Sequence, residues 1–123
     1  MANPNILNVA SIYGATNYLI PSTTNATTWT ALTPASGTVN KIGNIVAANV
    51  TAAVATVTVA INSAAAGAGT NYRLIYQVPV PINAAIVIAD KSTAFYLGEA
   101  QSIVVTVGTA SAIELTASYE AIT

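Results

Sequence analysis

The sequence predicts an all-β protein: a single antiparallel β-sandwich, jelly-roll-like, with about eight strands. Apolar residues alternate with polar ones over most of the chain, which is the period of a half-buried strand. Gly, Pro, Asn and Ser interrupt these runs at short intervals, as in a sandwich. The sequence lacks the periodicity of an amphipathic helix, and its connections are too short for the crossovers that parallel strands need.

The chain length is sufficient for one domain with a core of its own, since the sequence has 123 residues. We expect residues 1–5 to form an N-terminal arm and residues 6–123 to form the sandwich.

In the first half of the chain, turn residues separate five apolar segments. Gly14 ends the first segment, Pro21 stops a short second one, and the third ends near Pro34. Gly43 lies inside a long fourth segment and predicts a β-bulge. We expect the fourth and fifth segments to pair as a hairpin. These five segments are residues 5–13, 17–20, 27–32, 38–50 and 54–62.

A loop of small residues at 63–71 opens the second half, and its composition predicts flexibility. Pro79 and Pro81 remove backbone donors from the end of the next strand, which therefore suits a sheet edge or a strand exit rather than a sheet centre. Residues 96–122 have the pattern of a closing hairpin, with two alternating apolar strands around a turn. The predicted strands of this half are residues 72–80, 84–90, 94–97, 101–107 and 112–122.

Two strands indicate how the faces are used. In the last strand, apolar residues from Ile113 to Ala121 alternate with polar ones, so we expect the apolar set to face the core and the polar set water or a neighbour. In strand 72–80, Leu74 and Tyr76 share one face while Ile75 lies on the other. Apolar residues on both faces fit either a strand between core and subunit interface or an incidental exposed isoleucine.

Charge is the most unusual feature of the composition. The chain has three basic and four acidic residues, so 6% of its residues are charged, against about 25% in ordinary soluble domains. Either Ser, Thr and Asn keep the protein soluble, or partners cover much of its surface. Three basic residues are too few to track a phosphate backbone, so we expect no nucleic-acid partner.

The most apolar stretch, residues 45–61, is uncharged and 17 residues long, at the lower limit for a membrane-spanning helix. Its β-branched residues alternate with threonines, which favours a strand, so we expect no membrane association. The N-terminus lacks the basic and continuous apolar regions of a signal peptide.

The sequence offers little catalytic chemistry. It contains no Cys and no His, which excludes disulfides, thiolate zinc sites and histidine-based triads. Glu114 and Glu120 would lie roughly 20 Å apart on one strand, too far for a glycosidase pair. Asp90 and Glu99 lie near turns, where they would either approach each other at a calcium site or simply stabilise the turns. We expect neither an enzyme nor a cofactor.

The aromatic residues leave two possibilities open: a sugar-stacking platform, or packing in the core or a subunit interface. Trp29 lies between threonines, and we expect it to be half exposed. The residues predicted for an oligomer or capsid interface are Pro4, Asn5, Ile6, Trp29, Ile75, Tyr76 and Tyr119.

Both ends of the chain resemble a family of small virion structural proteins of tailed phages, many of them from marine cyanobacterial phages. The opening "PNILNV" is similar to the family pattern at Pro4, Asn5, Ile6, Asn8 and Val9. The closing "YLGE" at 96–99 and "SYEAI" at 118–122 are similar to its C-terminal pattern. The resemblance is weaker between about residues 20 and 70, and the chain has fewer charges than the family pattern.

The resemblance implies a virion component assembled in the cytoplasm of the host. It implies a head decoration (cement) protein that forms a homo-oligomer, often a trimer, and contacts the major capsid protein or another virion protein. A tail, neck or fibre component, or a glycan-binding module on the virion surface, is the alternative. Residues 1–5 would then serve as an anchoring arm, unless they are simply disordered as chain ends often are.

Overall fold

Residues 9–123 are described by a computed structural model, which confirms the predicted all-β sandwich of two antiparallel sheets. This part of the chain has nine strands and two short 3₁₀ turns, at Thr30–Leu32 and Lys91–Thr93. The strands are β1 (Ile12–Leu19), β2 (Thr27–Thr28), β3 (Val39–Asn49), β4 (Ala55–Asn62), β5 (Asn71–Val80), β6 (Ala85–Ala89), β7 (Phe95–Leu97), β8 (Ser102–Val107) and β9 (Ile113–Ile122).

The strand order is that of a jelly roll. The first sheet has the order β1-β9-β3-β6, and β7 also pairs with β3. Because β6 and β7 pair with successive parts of β3, they occupy one position in the sheet. The second sheet has the order β2-β8-β4-β5. The chain therefore has eight strand positions, and it changes sheet at every connection except β4–β5 and the break between β6 and β7.

The two predicted hairpins are wrong. The strand at 38–50 does not pair with the one at 54–62, because β3 pairs with β9, β6 and β7 while β4 pairs with β5 and β8. The closing hairpin at 96–122 also fails, since β8 and β9 lie in opposite sheets. Periodicity predicts which residues of a strand face the core, but it carries no information on the strand's partner.

The N-terminal strands differ from the prediction as well. β1 starts at Ile12 and continues through Gly14 to Leu19, so Gly14 does not end a strand. A glycine is compatible with extended backbone, and the strand stops only just before Pro21. The segment predicted as strand 27–32 forms the two-residue β2 followed by a 3₁₀ turn. From β3 onwards, each observed strand agrees with its predicted range within two residues.

The core lies between the inner faces of the two sheets. The second sheet contributes alternate residues of β4 and β8, such as Val57, Val59 and Val105, all fully buried. The predicted faces of β9 are confirmed over its first half, where Ile113 and Leu115 are buried and the intervening glutamate is exposed. This aliphatic core is the main source of stability in a chain with so few charges.

The predicted bulge at Gly43 is confirmed, because the pairing of β3 with β9 shifts between Ile42 and Asn44. A second irregularity lies in β5, which is an edge strand as predicted. There the register with β4 shifts twice, and Gln77 has a positive φ of 48°. The Gln77 backbone N–H donates to Thr58 Oγ1 at 2.9 Å, which fixes the distorted strand.

The loop after β4, predicted to be flexible, is held by a buried side chain. Asn62 is fully buried, and its Nδ2 donates to the carbonyls of Gly67 and Gly69 and to Asn71 Oδ1. Its Oδ1 accepts from the backbone N–H groups of Ala64 and Gly69, each at 2.9 Å. One amide side chain thus uses both its donor and its acceptor atoms on the loop.

The same loop lies on the outer face of the second sheet. Ser102 Oγ donates to the Ala64 carbonyl at 2.7 Å, and Thr28 Oγ1 donates to the Ala66 carbonyl at 3.3 Å. Gly67 has a φ of +77°, and a Cβ there would collide with the Thr28 hydroxyl. Small residues are therefore needed because the loop lies flat on the sheet, and it covers part of a face that would otherwise be open.

Replacing Asn62 by Ala should lower the free energy of unfolding by about 3 kcal/mol, because several buried loop groups lose their partner together. Urea denaturation measures the change. Asn25→Ala is the matched control, since Asn25 is exposed, and it should leave the midpoint nearly unchanged. Equal midpoints for Asn62→Ala and the unaltered protein would contradict this assignment.

Candidate interaction surface

Two of the acidic residues, Asp90 and Glu99, stabilise turns through hydrogen bonds. Asp90 caps the 3₁₀ turn at Lys91–Thr93: its Oδ1 accepts from the Ser92 backbone N–H at 2.9 Å and from the Ser92 hydroxyl at 2.6 Å. Glu99 is buried and its Oε2 accepts from the Gly37 backbone N–H at 2.7 Å. Within residues 9–123, no three Asp or Glu side chains come together as a metal-binding group.

The hydrogen bonds from Ser92 also influence the charge of Asp90. The pKa of its carboxyl is lowered from the ordinary value of 3.8, first by the Ser92 hydroxyl and then by the Ser92 backbone N–H. The side chain is open to solvent, so the effect on stability is small. These contacts identify Asp90 as the cap of the turn.

No helix in the described part of the chain has both the length and the apolar character needed to cross a membrane. The apolar stretch 45–61 instead supplies the end of β3 and most of β4, as its alternation predicted.

Trp29 is 1% exposed, so the prediction that it is half exposed is wrong. The ring belongs to the core, and its Nε1 donates to Asn17 Oδ1 of β1 at 3.2 Å. Its position between β2 and the 3₁₀ turn explains the burial, because Leu32 three residues later is buried beside it in the core. The prediction was based on the flanking threonines, which are typical of a strand with one face exposed to solvent.

The β5 residues are arranged differently from the predicted faces. Ile75 is opposite Val59 and packs against the core, whereas Tyr76 is 60% exposed. The bulge at Gln77 changes the phase of the alternation, so Val78 and Ile75 lie on the same side. The Arg73 guanidinium lies 5.2 Å from the centre of the Tyr76 ring. A cation–π contact of this kind orients the exposed ring without burying it.

The remaining interface candidates divide into two groups. Tyr119 of β9 is partly buried against the core and lies opposite Ile42. Pro4, Asn5, Ile6 and the proposed arm at 1–5 lie outside the described residues. An interface role for any of these residues stays a prediction.

The large exposed apolar side chains fall mainly into two groups at opposite sides of the sandwich. One group belongs to β1 and the residue after it, and we call residues 12–20 the β1 edge. The other lies on β5, β6 and their connection, which we call the β5–β6 side. The β1 edge exposes Ile12, Tyr13, Tyr18 and Ile20, and the β5–β6 side exposes Tyr72, Leu74, Tyr76, Ile82 and Val87. Sequence reasoning missed the β1 edge, because it divided this strand at Gly14.

Among the described strands, β1 is paired on one side only, to β9, in regular antiparallel register. Just before it, the backbones of Ser11 and Thr123 donate to each other's carbonyls at 3.4 and 3.0 Å. Hydrogen-bonded pairs recur at every second residue of an antiparallel ladder. The backbone groups of Tyr13, Ala15, Asn17 and Leu19 therefore point towards β9. Those of the even-numbered residues from Ile12 to Tyr18 point away from the sheet.

A shallow hollow of about 490 Å³ lies beside the β1 edge. It is open above Gly14, where a Cβ would have no neighbour within 4 Å. Lys41 and Glu120 face each other directly across β3 and β9 in this hollow. The lining residues are Gly14, Ala15, Thr16, Lys41, Gly43, Ser118, Tyr119 and Glu120.

Comparisons of the chain with protein-family models, with curated proteins and with solved structures find no match.

The hydrogen bonds at Asp90 predict a pH-dependent contribution to stability. Because the folded-state pKa is lowered, the stabilisation is present above pH 3.8 and is lost as the pH falls through the folded value. Asp90→Asn should therefore unfold at a lower temperature than the unaltered protein at neutral pH, and the difference should disappear in acid. Thermal unfolding monitored by circular dichroism between about pH 7 and pH 2 measures it. Glu114→Gln, an exposed change on β9, is the control, and a difference for Asp90→Asn that stays constant with pH would contradict the assignment.

Proposed function

We propose that this chain is a self-associating structural component of a phage virion, in the first place a head decoration protein that stabilises the capsid shell. The observation that carries the proposal is the presence of two exposed apolar groups, the β1 edge and the β5–β6 side, on a sandwich with 6% charged residues. Apolar side chains grouped on a surface commonly mark interaction sites. The resemblance of both chain ends to small virion proteins supplies the biological setting.

The mechanism follows from the surface. Copies associate through apolar contacts and backbone hydrogen bonds, and the assembly spans neighbouring capsid subunits and resists the pressure of the packaged DNA. We propose a trimer on the basis of the resemblance. A tail, neck or fibre component would use the same sandwich in the same way.

The glycan-binding alternative loses part of its support. Burial of Trp29 removes the largest aromatic face from the sugar-stacking platform. Tyr76 and Tyr13 remain exposed, but they lie on strands at opposite sides of the sandwich.

Location on the particle is tested by cryo-electron microscopy of purified virions from the source virus, combined with mass spectrometry. Many copies of the sandwich over the capsid lattice are expected. Density on the tail alone would replace the decoration assignment with the alternative, and absence of the chain from the particle would overturn the proposal.

Self-association should depend little on salt, because the exposed groups that mediate it are uncharged. We expect light scattering coupled to size-exclusion chromatography to give a multiple of the 12.4 kDa chain mass. The mass should be the same at about 0.1 M and 1 M NaCl, since screening acts on charges. A 12.4 kDa species at both concentrations, or dissociation at the higher one, would contradict the proposal.

A further inference from the structure

We infer that the β1 edge is an interface with a second copy of this chain, formed by antiparallel pairing of β1 with β1 around a two-fold axis at Ala15. The inference rests on the proposed function, because it names the surface through which copies associate. It adds a register: Ile12 opposite Tyr18 of the second copy, and Gly14 opposite Thr16 of the second copy.

The backbone hydrogen-bonding pattern of β1 is compatible with this pairing. Within residues 9–123, the β1 backbone N–H and C=O groups that have no strand partner belong to Ile12, Gly14, Thr16 and Tyr18, since the residues between them point towards β9. These four positions are symmetric about Ala15. A two-fold axis there aligns every free donor with a free acceptor, and four pairs exchanging two bonds each give about eight hydrogen bonds.

The side chains are complementary in the same register. Ile12 is 58% exposed and Tyr18 is 77% exposed, and both project from the outer face of the first sheet. Pairing places each Ile12 against a Tyr18, a β-branched–aromatic pair of the kind that stabilises antiparallel strands. Tyr18 of the second copy also lies diagonally across from Gly14, so its ring would cover the open space above that glycine.

The other sheet edges are less suitable for pairing. β2 has two residues, and the edge formed by β6 and β7 is broken into five and three residues. β5 is long, but it carries Arg73, Pro79 and two shifts of register, which are features that hinder edge pairing. β1 has eight residues with regular register, and residues 12–20 contain no charge and no proline. Among the described strands, β1 is therefore the edge that lacks protection.

A second copy is the occupant that the surface itself indicates. A two-fold contact requires a surface that is complementary to itself, and the β1 edge presents both the projecting Tyr18 and the hollow at Gly14. Absence of charge along the edge also removes the repulsion between like charges that a self-pairing would otherwise meet. The contact gives pairs, so it acts as the dimer itself or as a link between larger rings such as trimers.

The first experiment uses the absence of cysteine from the chain. Ala15 faces Ala15 of the second copy in a non-hydrogen-bonded pair, where Cα atoms lie about 4.5 Å apart, within the range for a disulfide. Ala15→Cys should therefore form a disulfide-linked dimer under mild oxidation, seen on a non-reducing gel. Ala52→Cys is the control, because it places an exposed thiol in the β3–β4 connection outside both apolar groups, and it should stay uncrosslinked.

The second experiment tests the register by charge. Tyr18→Lys should weaken association about tenfold or more, because a lysine then faces Ile12 of the second copy. Ile12→Glu combined with Tyr18→Lys should restore it, since each glutamate then faces a lysine across the axis. Val87→Lys makes an equal charge change on the β5–β6 side and tests the other apolar group. Val54→Lys, at an exposed residue of the β3–β4 connection outside both groups, is the control and should leave association unchanged.

The outcomes separate this inference from the proposed function. A protein that is monomeric at every concentration overturns both. If the protein associates but Ala15→Cys gives no crosslinked dimer, or Val87→Lys disrupts association while Tyr18→Lys does not, copies meet elsewhere and only this inference falls. The same holds if Ala15→Cys forms the link only after deletion of residues 1–8, because the chain's own N-terminus then occupies the edge.

Discussion

The position of β9 is the constraint on which the rest of the structure depends. The last strand of the chain lies between β1 and β3 and pairs with both along most of its length. The first sheet therefore cannot form from consecutive strands as they leave the ribosome, because its central strand β9 is made after the other strands of that sheet. Such pairing between distant segments makes folding slow compared with a chain of hairpins. It also explains why β1 lies at the edge among the described strands of this sheet.

From β3 onwards, strand positions could be predicted from the sequence, and so could the inner face of β9, because alternation is a local property. Alternation predicted β3 to β9 within two residues, the bulge at Gly43 and the inner face of β9 up to Ala117. Partners could not be predicted, since valine-rich strands are compatible with many pairings. The β1 edge was missed for a related reason: glycine was interpreted as a break, although an extended glycine fits a strand wherever no turn is needed.

Two buried asparagines show a second limit of sequence reasoning. Asn49 and Asn62 each end a strand and hold the following loop through both the donor and the acceptor of the amide. A pattern of apolar and polar residues assigns such positions to the surface. Hydrogen bonds to the loop offset the cost of burying these asparagines, and they form only after the loop has folded back. The sequence around each asparagine therefore does not indicate that it is buried. The burial of Trp29 has the same kind of cause, because its side-chain Nε1 donates to Asn17 of β1.

The short β6 at the far side of the first sheet has a consequence for how far such a sheet can extend. When two copies meet around a two-fold axis, each uses up the same edge, and no equivalent edge is left for a third. Both ends of the joined sheet are interrupted between the five-residue β6 and the three-residue β7, and the second sheet ends at the kinked β5. A nearly uncharged β protein that pairs through β1 can in this way avoid growth of its sheet into fibres.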